Sequence, residues 1–402
     1  MQKKIGAIFL VAGTCIGSGM IALPLVLAKL GLLPSILLML FIWFIMYYSS
    51  LINLELNLQA RHGLSLGALG RYYSGRGAEA LGVISLKLLS YALLAVFIYG
   101  GSSVIQELIA SQTGTKYSFD HIATIYAGVA MILFLFPIRW IDHLNRLLFM
   151  ALLAVVSLLI IGLALSIDWS NLPWMESHYS DVSIWASIIP VVFTSFGFQV
   201  IFHTLTNYCH KDDKMLKSAF FWGSLIPAIV YILWTSSVLS VVYHDNPHFY
   251  SQMIEGNVEV GELIQTLSSI AKWQSVQLLV WWISILAIAT SVLGVGVGLC
   301  ETFDVMLSKM ITNTALRKVL SSMLTVLPAY LVAIYVPNAF IAALGFAGMI
   351  LAVIAILLPI YLFGRMKEHH LHYPELRYKG LLGISVCVGI IVIVSELFNM
   401  YF

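Results

Sequence analysis

The sequence is poor in charged residues. Only 10% of its 402 residues are Asp, Glu, Lys or Arg, whereas 60% are hydrophobic. A soluble protein would carry roughly 25% charged residues to keep its surface hydrated. The shortage extends along the whole chain, which excludes a large soluble domain, and a net charge of +2 gives no reason to expect nucleic acid as a partner. We therefore expect a lipid bilayer to be the solvent for most of the chain.

Cysteine and catalytic motifs are scarce as well. The sequence contains no P-loop, no H-E-x-x-H and no G-x-S-x-G. We therefore exclude an ATP-driven pump within this chain, and we expect no enzyme activity, no catalytic residue, no metal site and no cofactor apart from a coupling ion. The four cysteines have neither metal-type nor disulfide-type spacing, and they lie in or beside apolar segments: Cys15, Cys209, Cys300 and Cys387.

Long apolar runs are what the sequence has in abundance. A helix needs about 20 such residues to cross the hydrocarbon core. Eleven runs qualify, near 5–29, 33–58, 82–110, 121–138, 146–167, 183–209, 219–243, 276–300, 317–336, 338–362 and 380–398. The sequence thus predicts an all-α integral membrane protein with eleven transmembrane helices in a single domain, residues 1–402.

The basic residues give an orientation. Lys and Arg collect on cytoplasmic connections, and with the N-terminus inside, all 21 of them lie on the inner side except Lys29, Lys116 and Lys272. A missed or false span would destroy this alternation downstream. We predict a cytoplasmic N-terminus and a periplasmic C-terminus. The external connections at 168–182 and 244–275 are expected to be solvated caps or gate loops, the second with a short surface helix.

Spans one and six both have polar centres that contain glycine. Span one holds Gly13, Gly17 and Gly19, and each glycine costs about 1 kcal/mol in a helix interior. Span six holds Pro190, Thr194, Ser195, Gly197 and Gln199 near its middle. Glycines at a helix-packing seam are the alternative interpretation for span one taken alone.

The two polar centres occupy matching positions in two halves of the chain. The starts of these two spans are five spans apart, so residues 5–167 and 183–362 can form an inverted repeat, with 380–398 as an extra helix. Interrupted helices at matching positions indicate a transporter binding site, because a half-helix N-terminus offers free N–H groups and a positive dipole end to a carboxylate. A channel would require a continuous polar pore lining, yet spans four, five, seven and nine are nearly all apolar.

Several segments resemble the hydroxy/aromatic amino acid permease family, closest to its bacterial tyrosine permeases. They are VAGTCIGSGMIALPL (11–25), NRLLF (145–149), IPVVFTSFGF (189–198), GSLIPAIVYILW (223–234), ATSVLGVGVGL (289–299) and ALGFAGMILAVIAILLP (343–359). The resemblance implies a five-plus-five inverted-repeat (LeuT-type) fold with discontinuous helices one and six. It also implies proton-driven import of an aromatic amino acid, foremost tyrosine, across a bacterial inner membrane by alternating access. Sodium coupling, and tryptophan, phenylalanine, serine or threonine as substrate, stay open. We expect a functional monomer.

The resemblance also implies which residues contact the substrate. These are Gly13, Thr14, Cys15, Ile16, Gly17, Ser18 and Gly19 in span one, and Phe193, Thr194, Ser195, Phe196, Gly197 and Gln199 in span six. The residue types agree, since phenylalanines suit a ring while the hydroxyl and amide groups suit hydrogen bonding. Tyr91 on the third span is a further candidate wall, although a packing stripe explains it equally well.

The coupling ion is not decided by the sequence. In span eight, Ala287, Thr290 and Ser291 have the spacing that supplies oxygens to sodium in related transporters. Some related permeases carry a lysine in span five where this chain has Leu152. Proton coupling then needs another titratable group, and His203 and Glu55 are candidates. A structural histidine is the more ordinary interpretation of His203, and Glu55 could pair with Arg61 or Arg71 at the inner gate.

Overall fold

The computed structural model describes residues 2–60, 64–166, 172–177, 179–209, 212–270, 274–308, 310–336, 339–366 and 371–401. Within these ranges every regular element is helical. The helices are α1 (Gln2–Cys15), α2 (Ser18–Leu27), α3 (Leu32–Gln59), α4 (Leu66–Ser74), α5 (Arg76–Thr113), α6 (Phe119–Leu133), α7 (Ile138–Ser166), α8 (Val182–Ser195), α9 (Phe202–Tyr208), α10 (Asp213–Asp245), α11 (Pro247–Glu255), α12 (Val260–Ile270), α13 (Gln274–Leu307), α14 (Thr314–Tyr335), α15 (Ala339–Ala352), α16 (Leu358–Arg365) and α17 (Lys379–Tyr401).

Eight helices in the described part of the chain are long and apolar enough to cross a membrane. They are α3, α5, α8 with the turn after it, α10, α13, α14, α15 with α16, and α17. The pair α1 and α2 passes the same test as one span bent by 48°. Shorter apolar helices, α6 and part of α7, lie at the positions of predicted spans four and five. The prediction of an all-helical, multi-pass membrane protein is confirmed.

Helix starts and tight turns follow local chemistry. The side chains of Asp181, Asp212 and Asn313 accept hydrogen bonds from backbone N–H groups of the first turns of α8, α10 and α14, which satisfies donors that helix geometry leaves unpaired. Between α2 and α3, Gly31 has φ 80°, and a Cβ there would lie 2.8 Å from the Met175 backbone. Only glycine fits this turn beside the first external connection.

The candidate region is enclosed by the packing of the long helices. α1 packs against α10, α2 against α8, and α15 against both α5 and α8. α13 contacts α5 and α7, while α17 covers α8 and α15 from outside. The large side chains that are fully buried include Phe193, Phe196 and Tyr231, all next to the interruptions in spans one and six. The two interrupted spans therefore lie inside the bundle and face other helices.

The connection between α10 and α13 differs from expectation. It contains two helices, α11 and α12, and α12 packs against α5 and α13. Its apolar face buries Val260, Leu263, Ile264 and Leu267. The interpretation of this segment as a solvated cap with one surface helix is wrong, because the apolar spacing of α12 is that of an amphipathic helix with a core-facing side; the alternative of a gate loop stays a prediction.

Candidate functional site

The break in span one is a two-residue interruption. α1 ends at Cys15, α2 begins at Ser18, and the two helix axes differ by 48°. The last carbonyl groups of one helix and the first N–H groups of the next have no partner within either helix. The chain therefore presents acceptors from the last turn of α1 and donors from the first turn of α2 at the same depth.

Span six is interrupted in its hydrogen bonding. α8 ends at Ser195, and the N–H groups of Phe196 and Gly197 donate to the carbonyls of Phe193 and Thr194 in tighter turns. A 3-10 turn follows at Phe198–Ile201 before α9 begins. The tightened turns leave carbonyls at the end of α8 without the usual partner four residues on.

Tyr231 of α10 joins the two breaks. Its hydroxyl lies 2.5 Å from the Cys15 carbonyl oxygen and 2.8 Å from the Ser195 carbonyl oxygen. The side chain is fully buried, and its ring packs edge-on against Phe196 at 5.3 Å. We did not predict Tyr231 as a site residue. The available signal was a tyrosine in an apolar span, since a buried hydroxyl needs a partner.

The glycines of the two breaks permit close approach. A Cβ on Gly19 would lie 2.7 Å from Ser195 Oγ, and one on Gly17 would lie 2.9 Å from Ser291 Oγ. A Cβ on Gly197 would meet the Leu351 side chain at 2.9 Å. The structure thus brings together the predicted residues of spans one and six and one ion-coupling candidate of span eight.

The remaining predicted residues of the two breaks are packed among protein atoms. Gly13 lies against the Phe149 ring, and Cys15, Ile16, Phe193 and Phe196 are buried. The hydroxyl groups donate to carbonyls of their own helices, namely Thr14 to Leu10, Thr194 to Pro190 and Ser195 to Val191. The Ser18 side chain lies outside the described part. Each of these hydroxyl oxygens keeps lone pairs that can accept from a ligand.

The side-chain amide of Gln199 has a partner for its nitrogen but none for its oxygen among the described atoms. Its Nε2 donates to the Met46 carbonyl at 3.2 Å, whereas Oε1 is buried without a partner among the described atoms. A buried, unpaired amide oxygen is costly, which suits a position that meets a ligand or a water.

The sodium-type residues are only partly assembled. Thr290 and Ser291 both direct their hydroxyls to the Ala287 carbonyl, at 3.1 and 2.7 Å, and only Ser291 contacts the break, through Gly17. Leu152 is fully buried, so an apolar side chain occupies the position of the family's lysine. His203 belongs to α9, and its side chain lies outside the described residues.

Glu55 is not paired as expected. The buried carboxylate accepts hydrogen bonds from the backbone N–H groups of His372 and Tyr373, at 3.0 and 3.2 Å, and from Gln59. Arg71 instead pairs with Glu79 at 3.4 Å, and Arg61 lies outside the described residues. Glu55 therefore fastens the end of α3 to the 371–377 connection. Arg71 is not the partner of Glu55, because its guanidinium pairs with Glu79 of α5.

A cavity of about 820 Å³ lies elsewhere, and residues 13–19 and 193–199 are not part of its lining. It borders Leu25 and Val26 of α2, in the part of span one after its break, and Val191 of α8, in the part of span six before its break. Tyr91 lines this cavity, donates to the Leu324 carbonyl of α14 at 2.7 Å and has its ring 6.1 Å from that of Phe303 on α13. At the paired breaks themselves, Cys15, Ile16, Ser195 and Phe196 are buried.

The rim of the cavity carries charge. Lys29 and Glu259 both line it. Burial lowers the pKa of the Lys29 ammonium, and burial raises the pKa of the Glu259 carboxyl despite a hydrogen bond from Tyr99. A Cβ on Gly256 would lie 2.9 Å from Lys29 Nζ, so the turn after α11 rests on this lysine. Glu396 of α17 lines the same cavity.

Comparison with known proteins gives one family. The tryptophan/tyrosine permease family model matches residues 1–399. The chain is 30% identical to "Tyrosine-specific transport system 1" of Haemophilus influenzae, covering 99% of this chain and 96% of that protein. It is 28% identical to the "Tryptophan-specific transport protein" of Pseudomonas aeruginosa, covering 94% and 89%. It is 27% identical to "Glutamine transporter 2" of Aliivibrio fischeri, covering 98% and 99%.

A solved structure matches the fold. MhsT, crystallised in complex with L-phenylalanine, superimposes with a TM-score of 0.61 over 98% of each chain, at 14% sequence identity. At this identity the likeness concerns the architecture, which is that of the LeuT-type transporters.

Proposed function

The chain belongs to the tryptophan/tyrosine permease family, and we propose on that premise that it imports tyrosine by proton symport with alternating access. The family consists of permeases, so the protein is a membrane transporter and not an enzyme. The observation that carries the proposal is the contact of both interrupted spans at Tyr231, whose hydroxyl meets a carbonyl from each.

In the proposed topology, eleven spans form two five-helix inverted repeats (5–167 and 183–362) plus α17, with the N-terminus cytoplasmic and the C-terminus periplasmic. Two contacts support it. Glu55 at the end of α3 bonds the 371–373 backbone, and the topology puts both on the inner face. Lys29 approaches Gly256, and the topology puts both on the outer face.

The proposed binding mode uses backbone groups. The substrate carboxylate would meet the free N–H groups of Gly17, Ser18 and Gly19 at the start of α2, where the helix dipole is positive. The ammonium group would meet carbonyl oxygens at the ends of α1 and α8, those of Cys15 and Ser195. Phe193 and Phe196 would pack on the ring, as aromatic pairs do, and Gln199 Oε1 would accept the phenol hydrogen bond that tyrosine adds.

The breaks are packed, so substrate entry requires movement. The cavity of about 820 Å³ reaches the outer halves of α2 and α8, which supports an approach from outside. Rocking of these half-helices against α5 and α15 would open the breaks to the cavity, as in transporters built from inverted repeats.

Sodium coupling is the second candidate, because Ser291 faces Gly17 and shares the Ala287 carbonyl with Thr290. These oxygens are of the kind that a hard cation prefers. Protons are proposed first because the family resemblance implies them.

The experiment is uptake of radiolabelled tyrosine into proteoliposomes with pH and sodium gradients imposed separately. We expect saturable accumulation with an inward proton gradient alone. Competition by unlabelled tryptophan, phenylalanine, serine, threonine, glutamine and leucine then ranks substrates. Stronger competition by serine or glutamine than by tyrosine would contradict the substrate, and accumulation only with a sodium gradient would contradict the coupling ion.

A further inference from the structure

A second carboxylate lies within a spanning helix, outside the paired breaks. Glu396 is on α17, five residues before Tyr401, so its Cα lies about 7 Å from the end of the helix along the axis. The side chain is only 5% exposed. It lines the cavity of about 820 Å³. An ionisable group buried at such a depth is expensive, which makes it a candidate for function.

The carboxyl group is seated on a glycine. A Cβ placed on Gly345 of α15 would overlap it, at 2.8 Å from Glu396 Oε1 and closer still to Oε2. The carboxyl therefore lies against the bare backbone of α15, a position that any other residue at 345 would obstruct. The Asn399 side chain hydrogen-bonds Glu396 and also donates to the Ala186 carbonyl of α8. Glu396 thus sits between α8, α15 and α17.

The helices packed around Glu396 bring it no opposite charge. α17 packs against α8, α15 and the π-helical turn Val353–Leu357, and none of these three segments contains an ionisable residue. The N-cap of α8, Asp181, is held by Ser183. On α17 itself, Lys379, Cys387 and Tyr401 are exposed. The other titratable groups on the cavity are Lys29, Glu259 and Tyr91. The carboxylate is therefore stabilised mainly by a neutral amide and by whatever water the cavity admits.

The same point of α15 is joined to span six. Thr194, at the end of α8, donates to the Leu344 carbonyl at 2.8 Å, and Leu344 directly precedes Gly345. Gly348, one turn on, lies against Pro190 and Thr194. A change of charge at Glu396 thus acts on the helix that holds the end of α8, whose last carbonyl Tyr231 contacts.

We propose that Glu396 is the carboxyl that binds the coupling proton, a site that rests on the proton symport proposed above. When the cavity is wet, the carboxylate is hydrated and exchanges protons with the outside. When the outer half of α8 moves and water leaves, ionised Glu396 would be desolvated without a partner, which favours the neutral, protonated form. Closure therefore proceeds with the proton bound, and the proton and substrate travel together.

The test separates exchange from accumulation. Substrate counterflow between equal pH values requires no net proton movement, whereas accumulation against a gradient does. With the membrane potential clamped, a one-unit pH gradient supports about tenfold accumulation for a one-proton symporter. We expect wild type to reach about that ratio. We expect Glu396→Gln to keep counterflow within about twofold of wild type while its accumulation ratio falls to about 1.

The matched control is Glu255→Gln, an exposed carboxylate on α11, which should accumulate substrate as wild type does. Gly345→Ala on α15 should shift the pH dependence of uptake, because its Cβ displaces the Glu396 carboxyl. Gly383→Ala lies on α17, the helix that carries Glu396, and should cause no such shift, because a Cβ there meets nothing within 4 Å. Accumulation by Glu396→Gln at the wild-type ratio would overturn the proposal. A wild type with no proton-driven accumulation would instead overturn the proposed symport, and the two failures are distinguishable.

A labelling measurement on the wild-type protein tests the proposal even if Glu396→Gln does not fold. Dicyclohexylcarbodiimide reacts with protonated carboxyls in apolar surroundings, so labelling of Glu396, read by mass spectrometry, should increase as pH falls through the range in which uptake is activated. Absence of pH-dependent labelling at Glu396, in protein whose uptake responds to pH, would overturn the proposal.

Discussion

The paired breaks and the cavity of about 820 Å³ differ in the charge of the residues that form them. Residues 13–19 and 193–199 contain no Asp, Glu, Lys or Arg, and they are packed by side chains with both break carbonyls held at Tyr231. The cavity is open and carries Lys29, Glu259 and Glu396. A dry, packed region can recognise a zwitterion with oriented backbone dipoles at no cost in buried charge. The desolvation cost of a charged side chain is low only where water reaches it during the transport cycle.

The largest loss of tyrosine uptake is expected when a bulky side chain replaces a glycine of the paired breaks. Gly17→Leu and Gly197→Leu should abolish tyrosine uptake while the protein stays in the membrane, since each added Cβ already meets Ser291 or Leu351 at 2.9 Å. Uptake and membrane content are measured in parallel. Gly128→Leu on α6, where a Cβ meets nothing within 4 Å, is the control. Normal uptake by either break variant would contradict the site.

Removing the hydroxyl that joins the breaks should have the next largest effect. Tyr231→Phe keeps the ring against Phe196 but leaves two buried carbonyls without their donor, a cost of about 1–3 kcal/mol. We expect the initial rate of tyrosine uptake at low concentration to fall roughly tenfold. Tyr335→Phe, at a tyrosine that is 76% exposed, should transport normally. Unchanged uptake by Tyr231→Phe would mean that this contact does not shape the site.

A double-mutant cycle sharpens the contact between spans one and eight. Gly17→Ala should impair uptake because its Cβ would lie 2.9 Å from Ser291 Oγ. Ser291→Ala removes that oxygen, so the double variant should recover most of the loss, with a coupling energy of about 1–2 kcal/mol. Uptake of the two single variants and the double variant is compared. Strictly additive effects would show that the two residues do not touch in the working protein.

The smallest effect is expected at the cavity rim. Burial raises the pKa of Glu259, so the folded protein holds this proton more tightly than the unfolded chain. The stabilisation from that proton is complete below the unfolded pKa and is lost as pH rises through the raised folded pKa. Glu259→Gln should therefore raise the melting temperature at neutral pH by about 2 °C and have no effect at acidic pH. Glu255→Gln, at an exposed position on the preceding helix, should leave the melting temperature unchanged at both pH values. Equal shifts of the melting temperature by Glu259→Gln at neutral and acidic pH would contradict a raised pKa of Glu259.

The sequence predicted that most of the chain is helical and lies in lipid, although it missed the buried face of α12. Few charges and long apolar runs require lipid, and a helix satisfies its own backbone there; this local rule located the all-helical spans. The glycines at 13–19 and 197 weaken their helices locally, so the sequence predicts a weak point in each of these two spans. Family motifs identified the permease because they are contiguous segments of chain.

Only the tertiary structure decided which groups meet. Tyr231 and Ser195 are 36 residues apart in the chain, and Glu55 and His372 are 317 apart, distances over which local patterns carry no information. Pairing of Glu55 with Arg61 or Arg71 was expected from proximity in the sequence, but Arg71 pairs with Glu79 and Glu55 accepts from the backbone of a distant connection. In the same way, only packing places the Glu396 carboxyl against Gly345 of another helix. The partners of a buried polar group are set by the path of the chain and by helix packing. No single segment of sequence determines either of these two.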